Sequence, residues 1–261
     1  MKSLIRSATT FGLVGSTLLA SWLGSTLNVL ALTQEQIINK LNGVPVYTIG
    51  NNKEILLQAG QNNQTIFVTY MSHQQAQQVV EGIKEADPSK DVEVITLPLG
   101  KVYELVKEKE KNQSQKPPDA FTFVPLEKEI PSALSLLKED NPKAEVFPGI
   151  PLFYAMVTID NKQSFLSIKD GEKSLTPFYF EKQSLQNLVE NLKKQQPELA
   201  SSVEIKVTPL GGIVETFENS QNKKEQEEFA ESVVLIPSEE SAAILRTLLQ
   251  QKNQGQGTQS Q

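Results

Sequence analysis

The sequence predicts an α+β fold made of two similar sheet-plus-helix repeats, and three observations carry that expectation. Gly43-Val44-Pro45-Val46-Tyr47 recurs as Gly149-Ile150-Pro151-Leu152-Phe153-Tyr154, each a glycine and a proline leading an apolar, aromatic-ended strand. Segments downstream of the first copy return downstream of the second in the same order, at an offset that creeps from 106 (Pro45 to Pro151) to 112 (Pro125 to Pro237). Within each copy the apolar period switches between two and 3.6, so strands and helices alternate. A spacing this long marks a duplicated domain-sized unit and not a solenoid repeat.

The matching segments are specific. Val79-Val80-Glu81-Gly82-Ile83-Lys84 answers to Leu188-Val189-Glu190-Asn191-Leu192-Lys193, and Pro88 to Pro197. Val92-Glu93-Val94 answers to Val203-Glu204-Ile205, Pro98-Leu99-Gly100 to Pro209-Leu210-Gly211, and Phe123-Val124-Pro125 to Leu235-Ile236-Pro237. The chain therefore divides into a leader (1–31), a first repeat (32–140), a second repeat (141–250) and a Gln/Gly/Ser-rich tail (251–261) expected to be disordered.

Residues 1–31 read as a cleavable signal peptide. Lys2 and Arg6 are the only charges, an apolar stretch follows, and Val29-Leu30-Ala31 offers a small-residue cleavage site. A single-span anchor competes, since roughly twenty apolar residues can cross a bilayer. Gly12, Gly15, Gly24 and scattered Ser and Thr dilute the stretch and favour cleavage, after which no stable membrane insertion is expected. Loss of residues 1–31 takes the formal net charge from −6 to −8, which argues against nucleic acid as a partner. The absence of cysteine removes disulfides, thiolate catalysis and Cys-ligated metal.

Thr33 with Gln36 forms a capping box before the apolar face of Ile37, Ile38 and Leu41, and Gly43 is placed to end that helix. A strand over 44–49 turns at Gly50-Asn51-Asn52 into a second strand over 54–58. A polar turn at 60–63 precedes a strand over 65–70. Ser72 with Gln75 caps a helix over 72–87, whose stripe is Ala76, Val79, Val80, Ile83 and Ala86, and Pro88 stops it. The second half repeats this helix with Leu185, Leu188, Val189 and Leu192, halted before Pro197.

Val203, Ile205 and Val207 alternate with Glu204, Lys206 and Thr208, the pattern of a strand with one face buried. Leu97-Pro98-Leu99-Gly100 ends the matching strand. Val102, Leu105 and Val106 begin a helix expected to dissolve into the charged run 107–111, and 219–228 reads as a comparable solvated stretch. Strands over 120–124 and 232–236 close each half, followed by short helices near 132–139 and 239–250.

The sequence carries no legible reaction. His73 is the single histidine, beside a helix cap and on the polar side of its helix, which reads as a surface residue. There is no nucleophile elbow, phosphate-cradling loop or dinucleotide fingerprint. Neither catalysis, a metal nor a cofactor is expected. What remains is apolar surface: Tyr47, Leu152, Phe153, Tyr154, Phe178 and Phe180 are the candidate surface for binding an apolar polypeptide. Neighbours in Phe178-Tyr179-Phe180 point to opposite faces when extended, so both sheet faces are apolar there. One face is then left for the sister repeat or for a peptide.

Together the leader, the Gly-Val-Pro-Val-Tyr start, the Pro-Leu-Gly segment ending at Gly100 and the run Phe147-Pro148-Gly149-Ile150-Pro151-Leu152-Phe153-Tyr154 resemble the Tic22-like family across nearly all of residues 32–250. The resemblance implies a pseudo-twofold fold with apolar grooves, no cofactor, and a chaperone-like role escorting proteins through an envelope. For a cyanobacterial member it implies the periplasm, outer-membrane biogenesis, and partners among unfolded or translocating polypeptides and the soluble domains of an outer-membrane assembly channel. The thylakoid lumen uses the same type of signal and stays open as a location. A carrier of a lipid or other small hydrophobic ligand, and a structural adaptor with an acidic docking face, are the alternative functions.

Overall fold

The computed structural model describes residues 32–51, 54–111, 118–197, 202–219 and 224–256. The expectations for the leader and for residues 257–261 lie outside the described residues. The first helix, α1 (Gln34–Leu41), begins on a complete capping box: the Gln36 N–H donates to Thr33 Oγ1 at 3.2 Å and the Thr33 N–H to Gln36 Oε1 at 2.7 Å.

Two sheets follow. The first contains β1 (Pro45–Gly50), β2 (Gln58–Ala59), β3 (Thr65–Tyr70), β4 (Glu93–Pro98) and β5 (Ala120–Val124). The second contains β6 (Pro151–Ile159), β7 (Lys162–Phe165), β8 (Ile168–Asp170), β9 (Lys173–Tyr179), β10 (Val203–Pro209) and β11 (Val233–Ile236). The principal strands run β4-β1-β3-β5 in one and β10-β6-β9-β11 in the other, antiparallel, antiparallel and parallel in both. Register agrees as well: Pro45 faces Pro98 as Pro151 faces Pro209, and Tyr47 faces Tyr70 as Phe153 faces Tyr179. The Leu99 N–H donates to Val44 O, and the Leu210 N–H to Ile150 O, both at 2.8 Å.

Helices α2 (His73–Ala86) and α5 (Lys182–Gln195) lie on the outer faces of the first and second sheets. Ala76 and Val80 of α2 pack on Tyr47, Ile49 and Tyr70; Leu185, Val189 and Leu192 of α5 pack on Phe153, Ala155 and Tyr179. A central core joins the inner faces of both sheets (Val46, Phe67, Leu152, Phe178) to α1, α3 (Leu99–Glu110), α6 (Leu210–Asn219) and α7 (Lys224–Ser232). The central strands β1, β3, β6 and β9 are thereby the most deeply buried, and all six residues of β1 are buried.

The last helix of each half crosses over. Helix α4 (Ile130–Asp140), from the first half, packs on β6 and β10 of the second sheet; α8 (Glu239–Gln256), from the second, packs on β1 of the first. Their N-terminal carboxylates secure the exchange. Glu129 Oε2 accepts from the Lys182 N–H of α5 at 3.1 Å. Glu240 accepts from the Gln74 N–H of α2 at 2.8 Å and from Ser72 Oγ at 2.9 Å. Both place negative charge where a helix start presents unpaired N–H groups. Glu181, itself buried, accepts from Lys128 of the incoming segment and from the Glu239 N–H at 2.8 Å.

Four expectations are corrected. Residues 54–58 do not form a strand along β1: only an isolated bridge pairs Gly50 with Ile55, and Gln58 crosses to β3. The capping box at Ser72 is half made: Ser72 Oγ takes the Gln75 N–H at 3.2 Å, but Gln75 Oε1 does not return to the Ser72 N–H and is left buried without a partner. Helix α3 persists to Glu110 and α7 forms over Lys224–Ser232, since charged residues continue a helix when i,i+3 partners such as Lys107 and Glu110 (2.8 Å) support one another. Helix α8 runs to Gln256, into the stretch expected to be disordered.

Helix α1 packs chiefly on α3, and this breaks the likeness of the halves. A Cβ on Gly100 would meet Ile38 O at 2.5 Å as well as Asn42 Oδ1, whereas one on Gly211, the matching glycine of α6, meets nothing within 4 Å. Gly100→Ala is therefore expected to cost about 1–3 kcal/mol by overpacking, and Gly211→Ala to be neutral or slightly stabilising. Urea unfolding of the two variants checks this; equal midpoints would show that α1 yields freely.

Candidate functional site

The Pro-Leu-Gly segments that end β4 and β10 also begin α3 and α6, because proline closes a ladder yet starts a helix without loss. From these starts the two helices flank a groove of about 430 Å³ at the junction of the halves. Leu41, Leu99, Ile150 and Leu210 line its base, and Val106, Phe123 and Val214 its walls. Pro148 and Gly149 border it; Gly149 holds φ +84°, in the left-handed region that glycine enters without penalty.

Polar groups gather at the rim. Tyr103 Oη of α3 donates to Glu218 Oε1 of α6 at 2.9 Å, and Lys107 Nζ donates to Glu218 at 2.9 Å and to Glu110 at 2.8 Å. The Lys107 ammonium also lies 5.6 Å from the centre of the Tyr103 ring. With Glu215, three carboxylates face one ammonium at the mouth, which leaves it acidic. Burial pulls Lys107 down, but the carboxylates of Glu110 and Glu218 outweigh that and hold it above its ordinary value.

Burial, together with the bond to Glu218, pushes the Tyr103 phenol from 10.0 up to about 12. The folded chain thus keeps a proton that the unfolded chain releases between these values. Its contribution to stability is complete below pH 10 and is lost as pH rises toward 12. Tyr103→Phe should flatten the fall of stability in that window, measured by urea unfolding at successive pH values. An undiminished fall in the variant would assign it to other groups.

A second cleft of about 500 Å³ lies between α4 and α5 over β10, with Leu136, Val189, Val203 and Ile205 inside and Lys182, Lys193 and Lys206 at its edge. Among the described residues no group of three or more His, Asp or Glu side chains is arranged to hold a metal ion. No described helix is long and apolar enough to cross a membrane.

The residues expected to form the binding surface lie elsewhere. Leu152, Phe178 and Phe180 are in the central core, Phe153 is under α5, and Tyr47 is under α2 and α8 with its hydroxyl on Ser241 Oγ at 3.0 Å. Tyr154 is half-buried against Phe178 and Phe165, with ring centres 5.1 and 5.4 Å away. Both sheet faces are indeed apolar at these positions, but helices and the other sheet cover both, so five of the six are core and Tyr154 is packed against it, not an open surface. His73 is half-buried too, edge-on to the Tyr47 ring at 5.2 Å.

The groove residues Val106, Phe123 and Val214 went unread in the sequence. The available signal was the pair of apolar helical stripes that follow Pro98-Leu99-Gly100 and Pro209-Leu210-Gly211, which end on a surface only once the halves are docked.

A model of the Tic22-like family matches residues 2–247. The chain is similar to the solved structure of Anabaena Tic22, a protein-transport protein, with 28% identity and a TM-score of 0.67 over 83% of this chain and 97% of that one. It is also similar in fold to Tic22 from Plasmodium falciparum, at 19% identity and a TM-score of 0.56, over 81% and 96% of the two chains. No curated protein matches the chain significantly.

Proposed function

Because this chain belongs to the Tic22-like family, we propose that it is a non-enzymatic, chaperone-like factor of protein transport that holds apolar polypeptide segments in the groove between α3 and α6. The observation that carries this reading is the groove itself: an apolar trough supplied by both halves, open to solvent and rimmed by Glu110, Glu215 and Glu218. Its walls accept unfolded apolar side chains, and its rim favours segments flanked by basic residues. The likeness to Anabaena Tic22, a protein of protein transport, supports the same role. A groove that opens to solvent suits a passing chain better than a sequestered lipid.

The leader at 1–31 supports action after export, in the periplasm, with the soluble domains of an outer-membrane assembly channel as a partner. The matching strand orders further support two copies of one unit related by a pseudo-twofold axis, with the groove, built from Leu99 and Leu210 alike, set on that axis. Superposing residues 45–124 on 151–236 tests the relation.

Val214→Asp places a charge on the groove wall at a half-buried position. Binding of a labelled apolar peptide with flanking lysines, followed by fluorescence anisotropy, should weaken at least about tenfold, the equivalent of one lost apolar contact. Some loss of stability accompanies the charge because Val214 also packs against the central core, so binding is measured well below the variant's melting temperature. Unchanged affinity would remove the groove from the reading.

A further inference from the structure

The free edge of β10 carries information that the groove does not use. Among the described residues β10 ends its sheet and pairs with β6 alone. In an antiparallel ladder, hydrogen-bonded and non-hydrogen-bonded residue pairs alternate. The bond from the Leu210 N–H to Ile150 O fixes the phase. It follows that Val203, Ile205, Val207 and Pro209, opposite Val157, Ala155, Phe153 and Pro151, turn their backbone groups away from β6. Pro209 thereby forfeits nothing to its own sheet, and the open edge runs from Val203 to Val207.

We propose that this edge pairs with the same edge of a second copy, about a two-fold axis through Ile205, to make one antiparallel sheet across two molecules. The charge pattern argues for a copy of this chain as the occupant. With the axis at Ile205, Glu204 of each molecule lies opposite Lys206 of the other, and Val203 lies opposite Val207. Charged residues on an edge strand usually repel another strand; here the order Glu-Ile-Lys turns them into two cross-strand ion pairs. Within one chain Lys206, 25% exposed, lies 3.6 Å from Glu204 and 4.0 Å from both Glu139 and Asp140 of α4, while Glu204 is 56% exposed, so pairing exchanges an existing contact of Lys206 for the partner's Glu204.

The apolar side supports the same axis. Val203, Ile205 and Val207 are half-buried on the outer face, packed toward α5 and α4 on one flank only. A neighbouring strand covers the other flank and joins the two clefts between α4 and α5 into one. The matching edge of the first sheet fits less well. The Leu99 N–H on Val44 O sets the same phase there, and Pro98, like Pro209, faces outward, but only Val94 and Thr96 then offer outward amides and no opposed charges flank them. Pairing over so short an edge buries less than a stable interface requires, so the association is concentration-dependent.

Sedimentation velocity and light scattering of the purified protein across the micromolar range, at low salt, test the proposal. A monomer–dimer equilibrium is expected, with slowed amide exchange at Val203, Ile205 and Val207 in the dimer. Lys206→Glu, or Glu204→Lys, sets like charges opposite and should weaken dimerisation at least about tenfold. The double exchange, E204K with K206E, should restore it, and melting curves confirm that all three variants stay folded. A protein monomeric throughout the range overturns the proposal. So does a dimer indifferent to the single reversals. Edge amides that slow only when an apolar peptide is added would assign the edge to a client strand, and likewise overturn it.

Discussion

Phe178→Ala is expected to lower the unfolding free energy by about 3–5 kcal/mol, the range for emptying a buried aromatic site, and to shift both halves of the protein together. Phe178 is 1% exposed in the central core, with the rings of Tyr154, Phe165 and Phe229 centred 5.1, 6.1 and 6.2 Å away. The same core holds Val46 and Phe67 from the first sheet and the buried sides of α1 and α3. A cavity there loosens residues from both repeats, so circular dichroism and hydrogen exchange should report one transition at a lower midpoint. Val146→Ala, on a residue 75% exposed, provides the contrast and should leave the midpoint in place. Two separated transitions in the Phe178 variant, with the first half unmoved, would show that the halves are stable alone.

The second large effect concerns a helix that serves the other half. A chain ending at Pro237 lacks α8, and its loss should destabilise the first sheet by about 3.5–6 kcal/mol while sparing the strand that leads into it. Three contacts set the estimate. Tyr47 loses its hydroxyl partner Ser241 beneath the helix, about 1 kcal/mol. Ser72 and the Gln74 N–H lose Glu240 at the start of α2, about 1–2 kcal/mol for a cap with charge. Ile244 no longer covers the outer core of the first sheet, about 1.5–3 kcal/mol. Native-state hydrogen exchange should then quicken in α2 and β1, far away in sequence, more than in β9 and β11. Quickening confined to β11 would mean that α8 contributes only to its sequence neighbours.

Much of the fold was legible because its punctuation is local. The strand at Thr65–Tyr70 lies between a polar turn and the Ser72 cap, and the strand at Ala120–Val124 ends at Pro125; both appear with the expected bounds. The helix at 73–86 is framed by Ser72 and Asp87 before Pro88. Features that depend on what a segment meets were not legible. The run 107–110 stays helical because Lys107 finds Glu110 on its own helix and Glu218 on α6, a partner more than a hundred residues away. Phe178 and Phe180 are apolar on the face that the sister repeat covers, and alternation alone cannot tell a covered face from a binding one. The groove escaped notice for the converse reason: Val106 and Val214 look like ordinary core positions of an amphipathic helix, and only the groove between α3 and α6 leaves them accessible.

The crossed helices also set an order of events at birth. A polypeptide is made from its N-terminus onward, and segments that wait for a distant partner stay unfinished meanwhile. Tyr47 and the start of α2 wait for Ser241, Glu240 and Ile244, almost two hundred residues later. The first-made half therefore cannot lock until nearly the last residue has been added, which keeps it pliable throughout synthesis.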